Sequence, residues 1–96
     1  MSISSTVVAK LGGNVEHVAL DGDGSKSFSV TLPSGTWLIE CGFFSSSASD
    51  YAAPTIGGKI VGSGYGGTAV MVTAGGTVEF GGSYTRWATG VAIKLA

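Results

Sequence analysis

Covalent catalysis needs a nucleophile, a proton acceptor and a group that orients the acceptor. This chain has one histidine, His17, and one cysteine, Cys41. A Cys41–His17 pair is chemically conceivable. The alternation of its neighbours, however, places Cys41 on an inward face and His17 on an outward one. Ser34 lies in a Pro-Ser-Gly stretch, not in a strand-to-helix nucleophile elbow. Glu16, Glu40, Asp50 and Glu79 are the acids to weigh as a hydrolytic carboxylate pair. Strand alternation turns Glu16, Glu40 and Glu79 outward, the pattern of a solvated face. Asp21-Gly22-Asp23-Gly24 resembles half of a calcium loop, but it lacks the twelve-residue span and the closing glutamate. A plain turn fits it better. Zinc needs several Cys or His ligands, and two such residues exist. No glycine cluster matches a phosphate-cradling loop before a helix. The residues therefore read as non-enzymatic, with no metal and no cofactor.

The aromatics offer recognition chemistry instead. Tyr51, Tyr65, Tyr84 and Trp87 all sit in or beside glycine- or serine-rich stretches, and Arg86 adjoins Trp87. Tyrosine and tryptophan are enriched where partners dock, and an arginine adds a rigid fork of donors. Three readings stand open. The group is a sugar-stacking platform, a subunit or partner interface, or a set of loop contacts in which Trp87 caps one end of a thin core.

These residues hang on a β framework. Phe28, Val30 and Leu32 alternate with polar neighbours; after Pro33-Ser34-Gly35, Trp37, Ile39, Cys41 and Phe43 resume the period of two. That pattern predicts a hairpin of two strands turning at Pro33–Gly35. Further strands are predicted at Thr6–Leu11, at Val15–Leu20 with Val18 and Leu20 inward, and around Ile56–Val61. The remaining three are Thr68–Thr73 with Val70 and Val72 inward, Thr77–Phe80 with Val78 and Phe80 inward, and Thr89–Leu95. In the last, Val91, Ile93 and Leu95 share a face that Lys94 does not. Ala74-Gly75-Gly76 reads as a turn. Ser45–Pro54, Gly62–Gly67 and Gly81–Trp87 read as loops. No window carries an apolar stripe at helical spacing. The expectation is an all-β, two-sheet antiparallel sandwich, jelly-roll-like, of about eight short strands in one domain over residues 1–96.

Composition narrows the partners. The 96 residues hold five Lys and Arg against six Asp and Glu, a net charge of −1, and charged residues make up 11%. That is no footprint for nucleic acid or for an anionic membrane surface. No apolar run approaches the roughly 20 residues that span a bilayer. The first residues carry neither a basic n-region nor a long apolar h-region, so no Sec signal is predicted. One cysteine gives no intrachain disulfide. Low charge with 17 glycines suits a chain that hides surface in an assembly.

Ser29–Glu40, with its Leu32-Pro33-Ser34-Gly35-Thr36-Trp37 core, resembles a recurring hairpin in small jelly-roll modules of tailed-phage virions. Tail-fibre tips and head-decoration proteins carry such a phrase, and C1q-like and tumour-necrosis-factor-like jelly rolls share it. Gly90–Leu95 is similar to how those modules end. The resemblance implies a homotrimer, made in the host cytoplasm and located in the virion, with the major capsid protein or another virion protein as partner. It implies no catalytic residue. A free-standing module with no upstream shaft favours a capsid decoration protein. A receptor- or carbohydrate-binding module, such as a tail-fibre tip or lectin-like protein with a glycan ligand, is the alternative.

Overall fold

The computed structural model describes residues 16–45 and 52–96. The predicted strand at Thr6–Leu11, the turn after it, and Tyr51 lie outside the described residues. The rest forms six strands: β1 His17–Leu20, β2 Phe28–Phe44, β3 Ala53–Ile56, β4 Lys59–Ile60, β5 Gly66–Ser83 and β6 Arg86–Lys94. They make one antiparallel sheet in the order β1-β6-β2-β5-β3-β4. The all-β expectation holds. Among the described residues, the seven short strands expected there are replaced by six, two of them very long.

The predicted hairpin at Pro33–Gly35 is a bulge. β2 runs through it without reversing, and its partner throughout is β5, from Phe28↔Phe80 to Phe44↔Gly66. Leu32 pairs with Gly76 and Thr36 with Ala74, so Pro33, Ser34 and Gly35 face Gly75 alone. The predicted turn at Ala74–Gly76 is the other side of the same bulge. Gly75 is required there: a Cβ would collide with the carbonyl of Pro33. Gly35 has φ 138°, which a side chain rarely adopts. Trp37 pins the bulge by donating its Nε1–H to the Pro33 carbonyl at 2.8 Å.

The bulge bends the sheet. Phe28 and Phe43 are 15 residues apart on β2, which spans roughly 50 Å when extended. Yet their rings lie 6.4 Å and 6.1 Å from that of Trp87. The strand must curl so that both of its arms reach one interior. Phe80 completes the cluster, edge-on to Trp87 at 5.2 Å and stacked on Phe28 at 4.4 Å. Ser25, just ahead of β2, bridges to Trp87, which pairs with Phe43 on its other side. The start of β6 is thus held between the two ends of one long strand.

Facing residues follow from this register. On one arm the inward rows are Val18–Ala92–Ile39–Met71 and Leu20–Gly90–Cys41–Ala69. On the other they are Val30–Val78 and Phe28–Phe80–Ile56. Trp37, Ile39, Ile56, Ala69, Trp87 and Ala92 are fully buried. Val18, Leu20, Val78 and Phe80 face inward as expected. Val70 and Val72 do not: Ala69 and Met71 take the inward positions, and the two valines are 40% and 56% exposed. Val91 and Ile93 share a face, opposite to the one that holds Trp37 and Ile39. The sheet's edges are short, four residues in β1 and two in β4, which limits edge-to-edge pairing.

Candidate functional site

The predicted loop Gly81–Trp87 shrinks to a two-residue connection. β5 continues to Ser83 and β6 starts at Arg86, leaving Tyr84 and Thr85 between them. Tyr84 turns the chain with φ 55°, an uncommon conformation for a large side chain, and is 65% exposed. Thr85 points inward, buried, with its hydroxyl donating to the Ser83 carbonyl at 3.0 Å. Alternation then sends Arg86 out and Trp87 in.

Trp87 is correspondingly no surface residue. It is 0% exposed, ringed by Phe28, Phe43 and Phe80, and donates its indole N–H to the Gly81 carbonyl at 3.0 Å. Of the three readings left open for the aromatics, this residue takes the core-capping one. Tyr65 is 61% exposed and directly precedes Gly66, which pairs with Phe44, the residue whose other register partner is Arg86. Of the sequence-predicted group that lies among the described residues, Trp87 alone is withdrawn into the core, while Tyr65, Tyr84 and Arg86 stay at the surface. Tyr84 and Arg86 come together, Tyr65 stands beside Phe44, and Trp87 lies beneath.

Tyr84, Thr85 and Arg86 line a cleft of about 370 Å³ with Lys26 and Gly82. Lys26 was missed by sequence reasoning because no spacing connects it to Arg86. The connection is the Ser25↔Trp87 bridge: one step beyond it, Lys26 and Arg86 come next on the two antiparallel segments. A second depression, about 380 Å³, is lined in part by Ser27, Ser29, Thr55 and Glu79.

Asp50 lies outside the described residues, and among those described the catalytic candidates do not converge. His17 lies on β1 with its register partner Ile93, on the face away from the core. Cys41 is buried and donates its thiol proton to the Ala88 carbonyl at 2.9 Å. Burial pushes its pKa up to about 11. A protonated, enclosed thiol is a small core hydrophobe rather than a nucleophile. Ser34 sits in the bulge. Among the described residues no three of His, Cys, Asp and Glu group as metal ligands. Asp21–Gly24 forms a turn, with Asp23 and Gly24 at φ 43° and 72°.

A different surface emerges on the outer side of the β1-β6-β2-β5 arm. Its rows are His17–Ile93–Leu38–Val72 and Ala19–Val91–Glu40–Val70, with Phe44 further along β2. Phe44, Val70 and Val72 are exposed, whereas Ile93 and Glu40 in the same rows are buried, so Glu40 faces outward but is not on the solvated face expected for it. Beyond the bulge the outer face changes character, to Ser29, Thr31, Thr77 and Glu79. The bulge thus divides an apolar half from a hydroxyl-rich half, where Thr31 and Thr77 hydrogen-bond across the strands at 3.2 Å.

No family model, characterised protein or solved structure matches the chain.

Proposed function

We propose that this protein is a non-enzymatic structural component of a phage virion, a capsid decoration protein that self-associates as a homotrimer. In this reading the curled sheet is a jelly-roll-like module whose two arms stand for the two sheets of a sandwich. It acts by adding contact area between neighbouring subunits, which stabilises a shell by linkage.

The observation that carries the reading is the apolar outer half of the sheet, with Val70, Val72 and Phe44 exposed. The occupant we assign to it is a second copy of the chain. A net charge of −1 sets up little repulsion between copies. Like valine surfaces satisfy one another, whereas a polar partner would leave them facing unmatched groups. Sedimentation at tens of micromolar protein tests this directly. A trimer is expected, and a monomer at that concentration would sink the assembly reading.

A second reading is favoured by a separate observation. Tyr65 and Tyr84 hold large rings in solvent, and Tyr84 does so beside two cations. That suits a receptor- or carbohydrate-binding module such as a tail-fibre tip. A glycan array probed with the wild-type chain and with Tyr84→Ala checks it, with signal lost in the variant. Trp87→Ala is unsuitable for this purpose, because it would open the core.

A further inference from the structure

We infer that the cleft between Lys26 and the β5–β6 connection binds the carboxylate of an acidic sugar. Three features meet there. Lys26 and Arg86 bring two cations to one cleft from facing antiparallel segments. Like charges so placed repel and cost stability. Glu16 pairs with Lys94 at 3.4 Å, and among the described residues no carboxylate forms an ion pair with Lys26 or Arg86. An external anion would offset the repulsion. Arg86 supplies a planar fork that matches a carboxylate with two parallel hydrogen bonds, and Lys26 adds a point charge.

The second feature is Tyr84, whose exposed ring beside the cations gives a pyranose ring a flat apolar face. Its left-handed backbone is what turns it toward solvent. Conformations of this kind recur at ligand-binding positions. The third is size: about 370 Å³ accommodates a sugar ring and lies within the usual range of small-ligand clefts. A bare inorganic anion would use the cations and leave the tyrosine idle. A neutral sugar would use the tyrosine and leave the cations unpaired.

The inference supplies a ligand for the binding-module reading, and its test is distinct from that of self-association. Phe44, at the end of the apolar face, is the register partner of Arg86, but Val72, which probes self-association, pairs with Leu38, six residues or roughly 20 Å further along β2. The test is an NMR titration of backbone amides with glucuronate, glucose and inorganic sulfate as probes. Glucuronate is expected to shift the amides of Lys26, Gly82, Thr85 and Arg86, sulfate to shift them more weakly, and glucose to leave them in place. Lys26→Gln and Arg86→Gln should each weaken glucuronate binding by about tenfold or more, the value of one charged hydrogen bond. Tyr84→Ala should weaken it without moving the sulfate response. Lys26 and Arg86 are exposed, so spectra outside the cleft report that the variants still fold. Glucuronate leaving those four amides unmoved would overturn the inference, as would sulfate binding equally well or affinity unchanged in both charge variants. Neutral glycans binding while glucuronate does not would sink this inference and leave the binding-module reading standing.

Discussion

Cys41 shows how a reactive residue type becomes structural. Its thiol is enclosed between Ala69 and Gly90 in the sheet and bonded to the Ala88 carbonyl. A thiol reagent at pH 8 is expected to leave it unmodified until the chain unfolds; fast labelling of the native protein would contradict its burial. The sign of the pH effect follows from the raised pKa. In the unfolded chain a thiol ionises near about 8.5, and in the folded protein burial delays this to about 11. The folded state thus holds its proton longer. Its contribution to stability is complete below about pH 8.5 and declines as pH rises toward 11. Denaturation midpoints measured across that window should fall, and the fall should vanish in Cys41→Ala. Trp37 makes the complementary case. Trp37→Phe keeps the ring in the core but removes the hydrogen bond to Pro33, at an expected cost of about 1–3 kcal/mol in urea unfolding. At this scale the sequence was readable: alternation alone put Trp37, Ile39, Cys41 and Phe43 on one face. It was misleading at Trp87, where a tryptophan beside glycines resembles a loop residue. Its burial depends on Phe28, Phe43 and Phe80, which converge from two other strands.

The defining element is the β2–β5 ribbon and its bulge. Proline, serine and glycine at 33–35 signal a bend, but a turn signal does not say how far the chain bends. Here it bends without reversing, because each half of β2 finds its partner in β5 rather than in the other half. Residues 69–72 were ambiguous for another reason. All four are apolar, Ala-Val-Met-Val, so both registers look plausible. The larger valines argue for burial; packing decides otherwise. Trp37, Phe43 and Trp87 fill the interior, and Ala69, paired with Cys41, is fully buried beside them. Gly75→Ala tests the bulge. Its Cβ would meet the Pro33 carbonyl, a backbone atom that cannot swing aside. A loss of at least about 2 kcal/mol in equilibrium unfolding is expected. Ser29→Ala, on the hydroxyl-rich outer half, should stay within about 0.5 kcal/mol of wild type. Equal stability of Gly75→Ala and wild type would mean that the bulge has slack and does not fix the bend.

For the whole molecule, the bend gives the sheet one shared interior and leaves an outer surface of two chemistries. The apolar half is the part of the account with the greatest functional weight. Low charge and high glycine content hinted at hidden surface, but composition could not say where. Val70 and Val72, which face outward, are where the proposed self-association places it. Light scattering coupled to size exclusion, run on wild type and on Val72→Glu, tests this most directly. Val72 is more than half exposed, so the glutamate should leave the fold and its thermal midpoint nearly unchanged. Wild type is expected to elute at three times the 9.5 kDa chain mass, and Val72→Glu as a folded monomer. A trimer that persists in Val72→Glu would contradict the assignment of this face.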